Sequence, residues 1–187
     1  DTSFFSFIQP SKIWYDYYWG FQVIVAKIFE WGGYHGLVAL RAFLYGLTVL
    51  LICLFLFRRK DRTAIQWVAL CFFVFYALAL IHRELLVRPH LFSYFFIVLF
   101  LYILEYKREK IWMLPLLGIL WANIHGIEYP VMILIVFAYL TEIYYLNVKK
   151  TADAPRVDRK TKWLLIATMY SVFITPGIVH LVQTPFN

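Results

Sequence analysis

The segment LWANIHGIEYP, residues 120–130, places an amide, an imidazole and a carboxylate between two strongly apolar runs. These groups belong to Asn123, His125 and Glu128. Together they can donate and accept hydrogen bonds and carry a proton, as acid–base chemistry or the binding of a polar ligand requires. A plain turn would need only its glycine and proline, and Glu128 can also serve as a negative charge at a helix N-terminus. The amide and the imidazole therefore favour a site over a turn.

A second polar group of residues is HRELLVRPH, residues 82–90, in which Arg83 and Arg88 flank an apolar stretch and His90 follows a proline. The planar guanidinium group of arginine binds two phosphate oxygens at once. The segment therefore predicts contact with a lipid phosphate or pyrophosphate. The alternative is ordinary anchoring, in which the arginines extend to the lipid headgroups.

Few carboxylates accompany these groups. On the side of the membrane that is expected to face outward they are Asp1, Asp16, Glu30, Glu84 and Glu128. A general base or a metal-binding acid has to come from this set, and Asp16 and Asp1 are the candidates for catalysis. The sequence has no metal-binding helix motif, no glycine-rich phosphate loop and no Ser-His-Asp spacing, so it predicts no metal site.

The composition predicts the environment in which these residues are placed. Of the 187 residues, 63% are hydrophobic and 16% are charged, and the mean hydropathy is +0.70. A soluble domain has about 45–50% apolar and about 25% charged residues. We therefore expect an integral membrane protein of the inner (plasma) membrane. Its net charge of +7 is typical of cytoplasmic loops and does not indicate nucleic-acid binding.

The apolar runs predict an all-α fold, a polytopic bundle of about six transmembrane helices. Residues 1–36 are expected to form an extracytoplasmic loop with an interfacial helix, and residues 183–187 an outer tail. The predicted spans are 37–57, 64–81, 90–105, 111–124, 127–146 and 163–182.

Charge predicts the orientation. Loops 58–62, 107–110 and 149–162 carry four, three and six Lys or Arg, and such an excess marks the cytoplasmic side. The loops between them, with residues 1–36 and the C-terminus, then face outward. All five histidines of the chain fall on that outer side.

Two apolar runs, 111–122 and 163–174, each have only 12 residues. They cover roughly 18 Å, which is less than a bilayer core, and each ends in polar or broken sequence. Irregular backbone at membrane depth is tolerated where it lines a cavity. This predicts an outward-facing cavity lined by Asn123, His125, Thr175 and His180. The alternative is that the helices continue and the bilayer thins.

Five stretches taken together carry a family resemblance. They are DTSFFSF, WYDYYWGFQVIVAKIFEWGGYHGLVALRA, RPHLFSYFFIVLFLYILE, LPLLGILWANIHG and TPGIVHLVQTPF. Their order resembles bacterial membrane proteins of the GT-C glycosyltransferase superfamily, in the oligosaccharyl- and mannosyltransferase-like group. The resemblance covers nearly the whole chain.

The resemblance implies transfer of a sugar from a polyprenyl-phosphate donor to an acceptor at the outer face. It also implies that a first helix and an acidic motif precede residue 1, so that this chain is a fragment. A divalent cation is an expected cofactor only with that upstream motif. The residues that would bind lipid phosphate or substrate are Arg88, Arg83, His90, Asn123, His125, Glu128 and His180.

Two other classes of protein remain open. A non-catalytic structural or accessory subunit of a larger membrane complex, with membrane protein partners, would also have few outer carboxylates. A transporter with broken helices is the third class, but the sequence has no apparent inverted repeat and no acid clearly in the middle of a span.

Overall fold

A computed structural model describes residues 16–57, 87–149 and 159–176. Within these residues there are only helices, turns and short irregular links, which confirms the predicted all-α class. Three short 3-10 turns, Arg108–Met113, Gly126–Glu128 and Ser171–Phe173, join or follow the α-helices. The five α-helices are α1 (Trp19–Phe57), α2 (His90–Tyr106), α3 (Leu114–Ile124), α4 (Tyr129–Lys149) and α5 (Arg159–Tyr170).

Helix α1 is interrupted at Gly33, whose backbone has φ 54° and ψ −144°. Only glycine adopts this region without strain, because a Cβ would meet the neighbouring carbonyl. The helical residues before Gly33 include the stretch predicted as an interfacial helix, and those after it include the predicted span 37–57. The predicted span 64–81 lies outside the described residues.

Helices α2, α3 and α4 begin and end close to the predicted spans 90–105, 111–124 and 127–146, whereas α5 ends at Tyr170, well before the end of the predicted span 163–182. Helix α2 begins directly after Pro89, and α3 has a proline in its first turn, where the missing N–H costs no hydrogen bond. Helix α3 has only 11 residues and ends at Ile124. Helix α5 has 12 residues and passes into a 3-10 turn at Ser171. The two short segments are therefore short helices in the structure.

Aromatic side chains form the centre of the core. Phe96 stacks on Trp121 with ring centroids 5.7 Å apart, and Phe100 meets the same indole edge-on at 5.5 Å. All three side chains are at most 2% exposed. Helix α1 packs against α2, while α5 packs against both α3 and α4. The core thus holds α2 and α3 together beside the segment that sequence analysis singled out.

Polar and basic residues lie at opposite ends of the packed helices. Helix α2 begins at His90, beside Glu128, and its far end is tied to α1, where the hydroxyl of Tyr106 donates to the carbonyl of Phe55 at 2.9 Å. The basic turn Arg108–Met113 follows at that far end. The last turn of α4 and the first turn of α5 also lie there, so their lysines and arginines are remote from Glu128.

Two helical stretches, Trp19–Phe57 and Gly126–Leu146, are long and apolar enough to cross a membrane by length and composition. Large apolar side chains also point outward from the helices: Phe43 is 65% exposed, Leu134 64% and Leu116 60%. Such surfaces lose no hydrogen bonds in lipid, whereas in water they would be costly. These features agree with association with a membrane.

Candidate functional site

Five side chains from three separate elements meet at the polar end of the helices. We call them the His–Glu cluster: His90, Ser93, Trp121, His125 and Glu128. The first two lie one turn apart on α2, and Trp121 lies near the end of α3. His125 ends that helix, and Glu128 ends the 3-10 turn before α4. The break in helix at residues 125–128 therefore brings an imidazole and a carboxylate against the start of α2.

Polar contacts link the side chains of the cluster one to the next. The indole N–H of Trp121 donates to Oγ of Ser93 at 2.9 Å, and this hydroxyl lies 2.6 Å from Nδ1 of His125. Nδ1 of His125 is 3.5 Å from Oε2 of Glu128. The other carboxylate oxygen, Oε1, is 2.9 Å from Nδ1 of His90. Because a carboxylate only accepts, Nδ1 of His90 carries the hydrogen of this bond.

The side chains of the cluster differ sharply in how deeply they are buried. Ser93 is 0% exposed and both Trp121 and His125 are 1% exposed. The side chain of Glu128 is 23% exposed and that of His90 is 50% exposed. The buried members hold His125 in one orientation, while His90 faces the surroundings. A proton donor and acceptor is thus presented at the surface and supported from behind by a carboxylate.

The segment before α1 covers one side of the cluster. The carbonyl of Tyr17 accepts a hydrogen bond of 3.0 Å from the backbone N–H of Gly126. The ring of Tyr18 lies 5.3 Å from the ring of His125, centroid to centroid. Burial, followed by the nearby negative charges of Glu128 and Asp16, raises the pKa of Tyr18 above its usual value. Tyr18 therefore stays a neutral phenol beside the cluster.

Asp16, one of the two candidates for catalysis in the sequence, begins this segment. Its Oδ1 accepts a hydrogen bond of 2.9 Å from the backbone N–H of Tyr18. Such a bond satisfies a free N–H group just before a helix. Asp16 is near the cluster, but this contact supports the start of α1 and does not point to a proton-transfer role.

Asn123 lies beside the cluster and ties three parts of the chain together. Its Oδ1 accepts a bond from the indole N–H of Trp19 at 3.1 Å. Its amide nitrogen donates to the carbonyls of Ile119 at 2.7 Å and Ile174 at 2.9 Å. These bonds use both ends of the amide. Asn123 thus holds α1 and the residue after the 3-10 turn Ser171–Phe173 against α3, and it orients the segment that carries His125.

Gly20 permits the close approach of α1 to this segment. A Cβ at Gly20 would lie 2.6 Å from the carbonyl oxygen of Asn123 and 3.0 Å from its carbonyl carbon. Real Cβ atoms do not approach backbone so closely. A side chain at Gly20 would therefore push the start of α1 away from the cluster.

The other residues predicted to form the site differ in where they lie in the structure. Arg88 is exposed and lies two residues before His90, at the same end of α2. Asp1, Arg83 and His180 lie outside the described residues, so the predicted cavity with His180 is not described either. Asn123 and His125 do lie together, and Glu128 and His90 join them.

Ser93 and Trp121 are members that sequence analysis missed. A serine and a tryptophan in apolar helices look like ordinary core residues. One signal was present: His90 and Ser93 are three residues apart, which places this pair on one face of a helix. By type and spacing, His90, His125 and Glu128 could also hold a metal ion, since one ligand atom from each lies within 4.8 Å of the others.

Comparisons of the chain with protein-family models, curated proteins and solved structures found no match. Function is therefore inferred from the site and from the sequence.

Proposed function

We propose that the protein is a polytopic membrane glycosyltransferase that moves a sugar from a polyprenyl-phosphate donor to an acceptor at the outer face. The observation that carries this proposal is the His90–Glu128 pair, which is partly exposed, lies two residues after Arg88 and is at the end opposite the basic residues. By the positive-inside tendency, the end with the excess of lysine and arginine faces the cytoplasm, so the end with the pair and Arg88 faces outward.

The pair has the chemistry of a general base. Glu128 accepts the Nδ1 hydrogen of His90, which leaves Nε2 of the neutral imidazole with a lone pair. Nε2 would take the proton of the acceptor hydroxyl as its oxygen attacks the anomeric carbon. Glu128 would stabilise the imidazolium that forms, as a carboxylate does behind a catalytic histidine. This assigns the base to His90 in place of Asp16 or Asp1.

Arg88 is the group suited to the leaving phosphate. When the bond between the anomeric carbon and the phosphate oxygen breaks, its electron pair stays on the lipid phosphate. A guanidinium ion nearby stabilises that negative charge by two parallel hydrogen bonds. Attack from the opposite face of the sugar inverts the anomeric configuration.

The first experiment measures binding of a polyprenyl phosphate to the full chain in nanodiscs. We expect Arg88→Ala to weaken binding at least tenfold, or about 1.4 kcal/mol. Lys110→Ala is the matched control, since it removes an equal charge from an exposed residue at the opposite end. Equal binding by wild type and Arg88→Ala would reject the role of Arg88.

The second experiment measures transfer from labelled polyprenyl-phosphate sugars. His90→Ala should lower the rate of transfer and leave lipid-phosphate binding close to wild type, because a base acts on the acceptor. If the wild-type chain transfers no sugar and co-purifies in mild detergent with partners in fixed stoichiometry, it is an accessory subunit instead.

A further inference from the structure

His90, His125 and Glu128 have the residue types of a zinc site. Zinc ions in proteins commonly bind two imidazoles and one carboxylate, with a fourth position left to water or another ligand. The three side chains come from the start of α2 and from the break between α3 and α4. One ligand atom from each lies within 4.8 Å of the other two.

A tetrahedral ion sets the spacing of its ligand atoms. With metal–ligand bonds of about 2.0–2.1 Å, tetrahedral ligand atoms stand roughly 3.3–3.5 Å apart. Nδ1 of His90 lies 2.9 Å from Oε1 of Glu128, and Nδ1 of His125 lies 3.5 Å from Oε2. These two separations involve different oxygens of Glu128, and one ligand atom from each of the three residues lies within 4.8 Å of the other two. The side chains must therefore move closer together to hold an ion, and His90 is the most exposed of the three.

Buried neighbours fix the position of one ligand, His125, which is 1% exposed. Ser93 lies 2.6 Å from Nδ1 of His125 and is itself held by the indole N–H of Trp121. An ion on Nδ1 of His125 would take the place of the hydrogen bond from Ser93, whose hydroxyl would turn its hydrogen away.

We propose that His90, His125 and Glu128 bind one divalent transition-metal ion, with Zn²⁺ the best fit, and leave its fourth position open on the exposed side of His90. Two imidazole ligands favour zinc over magnesium, which prefers oxygen ligands.

This inference goes beyond the proposed sugar transfer and does not depend on it. An ion can bind Nδ1 of His90 only in the other neutral tautomer, in which the single ring hydrogen has moved from Nδ1 to Nε2. His90 would then be unable to act as a base. Zinc is therefore expected to inhibit any transfer that uses His90.

The test is a calorimetric titration of Zn²⁺ into the full chain, without a histidine tag, after removal of metal by a chelator in mild detergent. We expect one Zn²⁺ per chain, and binding at least tenfold weaker in His90→Ala and in Glu128→Gln. His35→Ala is the matched control, because His35 is an exposed histidine of α1, and it should bind as wild type does. Mg²⁺ should give no comparable binding.

Binding of Co²⁺ gives a second readout, since a tetrahedral site produces intense visible absorption that His90→Ala should abolish. His90 is half-exposed, so His90→Ala is expected to fold, and circular dichroism checks this. The proposal is overturned by absence of Zn²⁺ binding, by wild-type binding in His90→Ala, or by equal weakening in His35→Ala. None of these readouts requires turnover, so they separate this proposal from the transferase proposal.

Discussion

At the scale of single residues, the cluster divides into buried supports and exposed working groups. Ser93, Trp121 and His125 are almost fully buried, while His90 and Glu128 reach the surface. A buried polar group is tolerated only when its hydrogen bonds are made. The serine hydroxyl satisfies this need for Trp121 and for His125 together. Ser93 is therefore more important for stability than its size suggests.

We expect Ser93→Ala to lower the free energy of unfolding by about 1–3 kcal/mol, because it leaves the Trp121 indole N–H without its acceptor in the core. The measurement is reversible unfolding in mixed micelles, followed by helical circular dichroism. Thr141→Ala is the control: this exposed hydroxyl donates only to the carbonyl of Phe137 one turn back, and its loss should change stability by no more than about 0.5 kcal/mol. Equal stability of Ser93→Ala and wild type would contradict the role assigned to the serine.

At the scale of elements, the shortness of α3 is what forms the site. The helix ends at Ile124, and the chain turns at residues 125–128 before α4 begins. Asn123 and the docked start of α1 hold the break in place. The position of α1 therefore affects the geometry of the His–Glu cluster, although α1 contributes no catalytic group to it.

Two glycines of α1 offer a matched test of that docking. Gly20→Ala should destabilise the protein by about 1–3 kcal/mol, because its Cβ would overlap the carbonyl of Asn123. Gly46→Ala should instead stabilise it by about 0.5–1 kcal/mol, since a Cβ there has open space and alanine favours helix. The same micelle unfolding measurement applies. A Gly20→Ala protein at least as stable as wild type would show that α1 does not pack closely on Asn123.

At the scale of the whole molecule, the chain separates two kinds of polar residue. The His–Glu cluster and Arg88 are at one end of the helices, and the basic turn Arg108–Met113 is at the other. Alternating helix directions produce this separation, because each helix carries the chain to the opposite end. Excess lysine and arginine usually stays in the cytoplasm during insertion, so the cluster is expected to face outward.

Cysteine labelling of intact cells tests this orientation. In a chain whose two native cysteines are replaced by alanine, Arg88→Cys should react with a membrane-impermeant maleimide from outside. Lys110→Cys should react only after permeabilisation, because it lies at the other end. The reverse result would contradict the orientation, and labelling of both from outside would contradict a membrane between them.

The sequence by itself determined the helical class and the segments in which polar chemistry is concentrated. Long apolar segments leave few alternatives to helices, because the backbone N–H and C=O groups of such a segment must hydrogen-bond to one another in an apolar environment. It also singled out Asn123, His125, Glu128 and His90 as unusual in their surroundings. These conclusions need only local information.

Only the tertiary structure decided which of those residues act together. His90 and Glu128 are 38 positions apart, and no local pattern says that the start of α2 lies against the break after α3. The same packing gave Asn123 a positioning role, tied Asp16 to the start of α1 and brought Ser93 and Trp121 into the cluster. The reason is physical: packing of apolar side chains fixes how the helices meet, and the polar contacts at their ends follow from that arrangement.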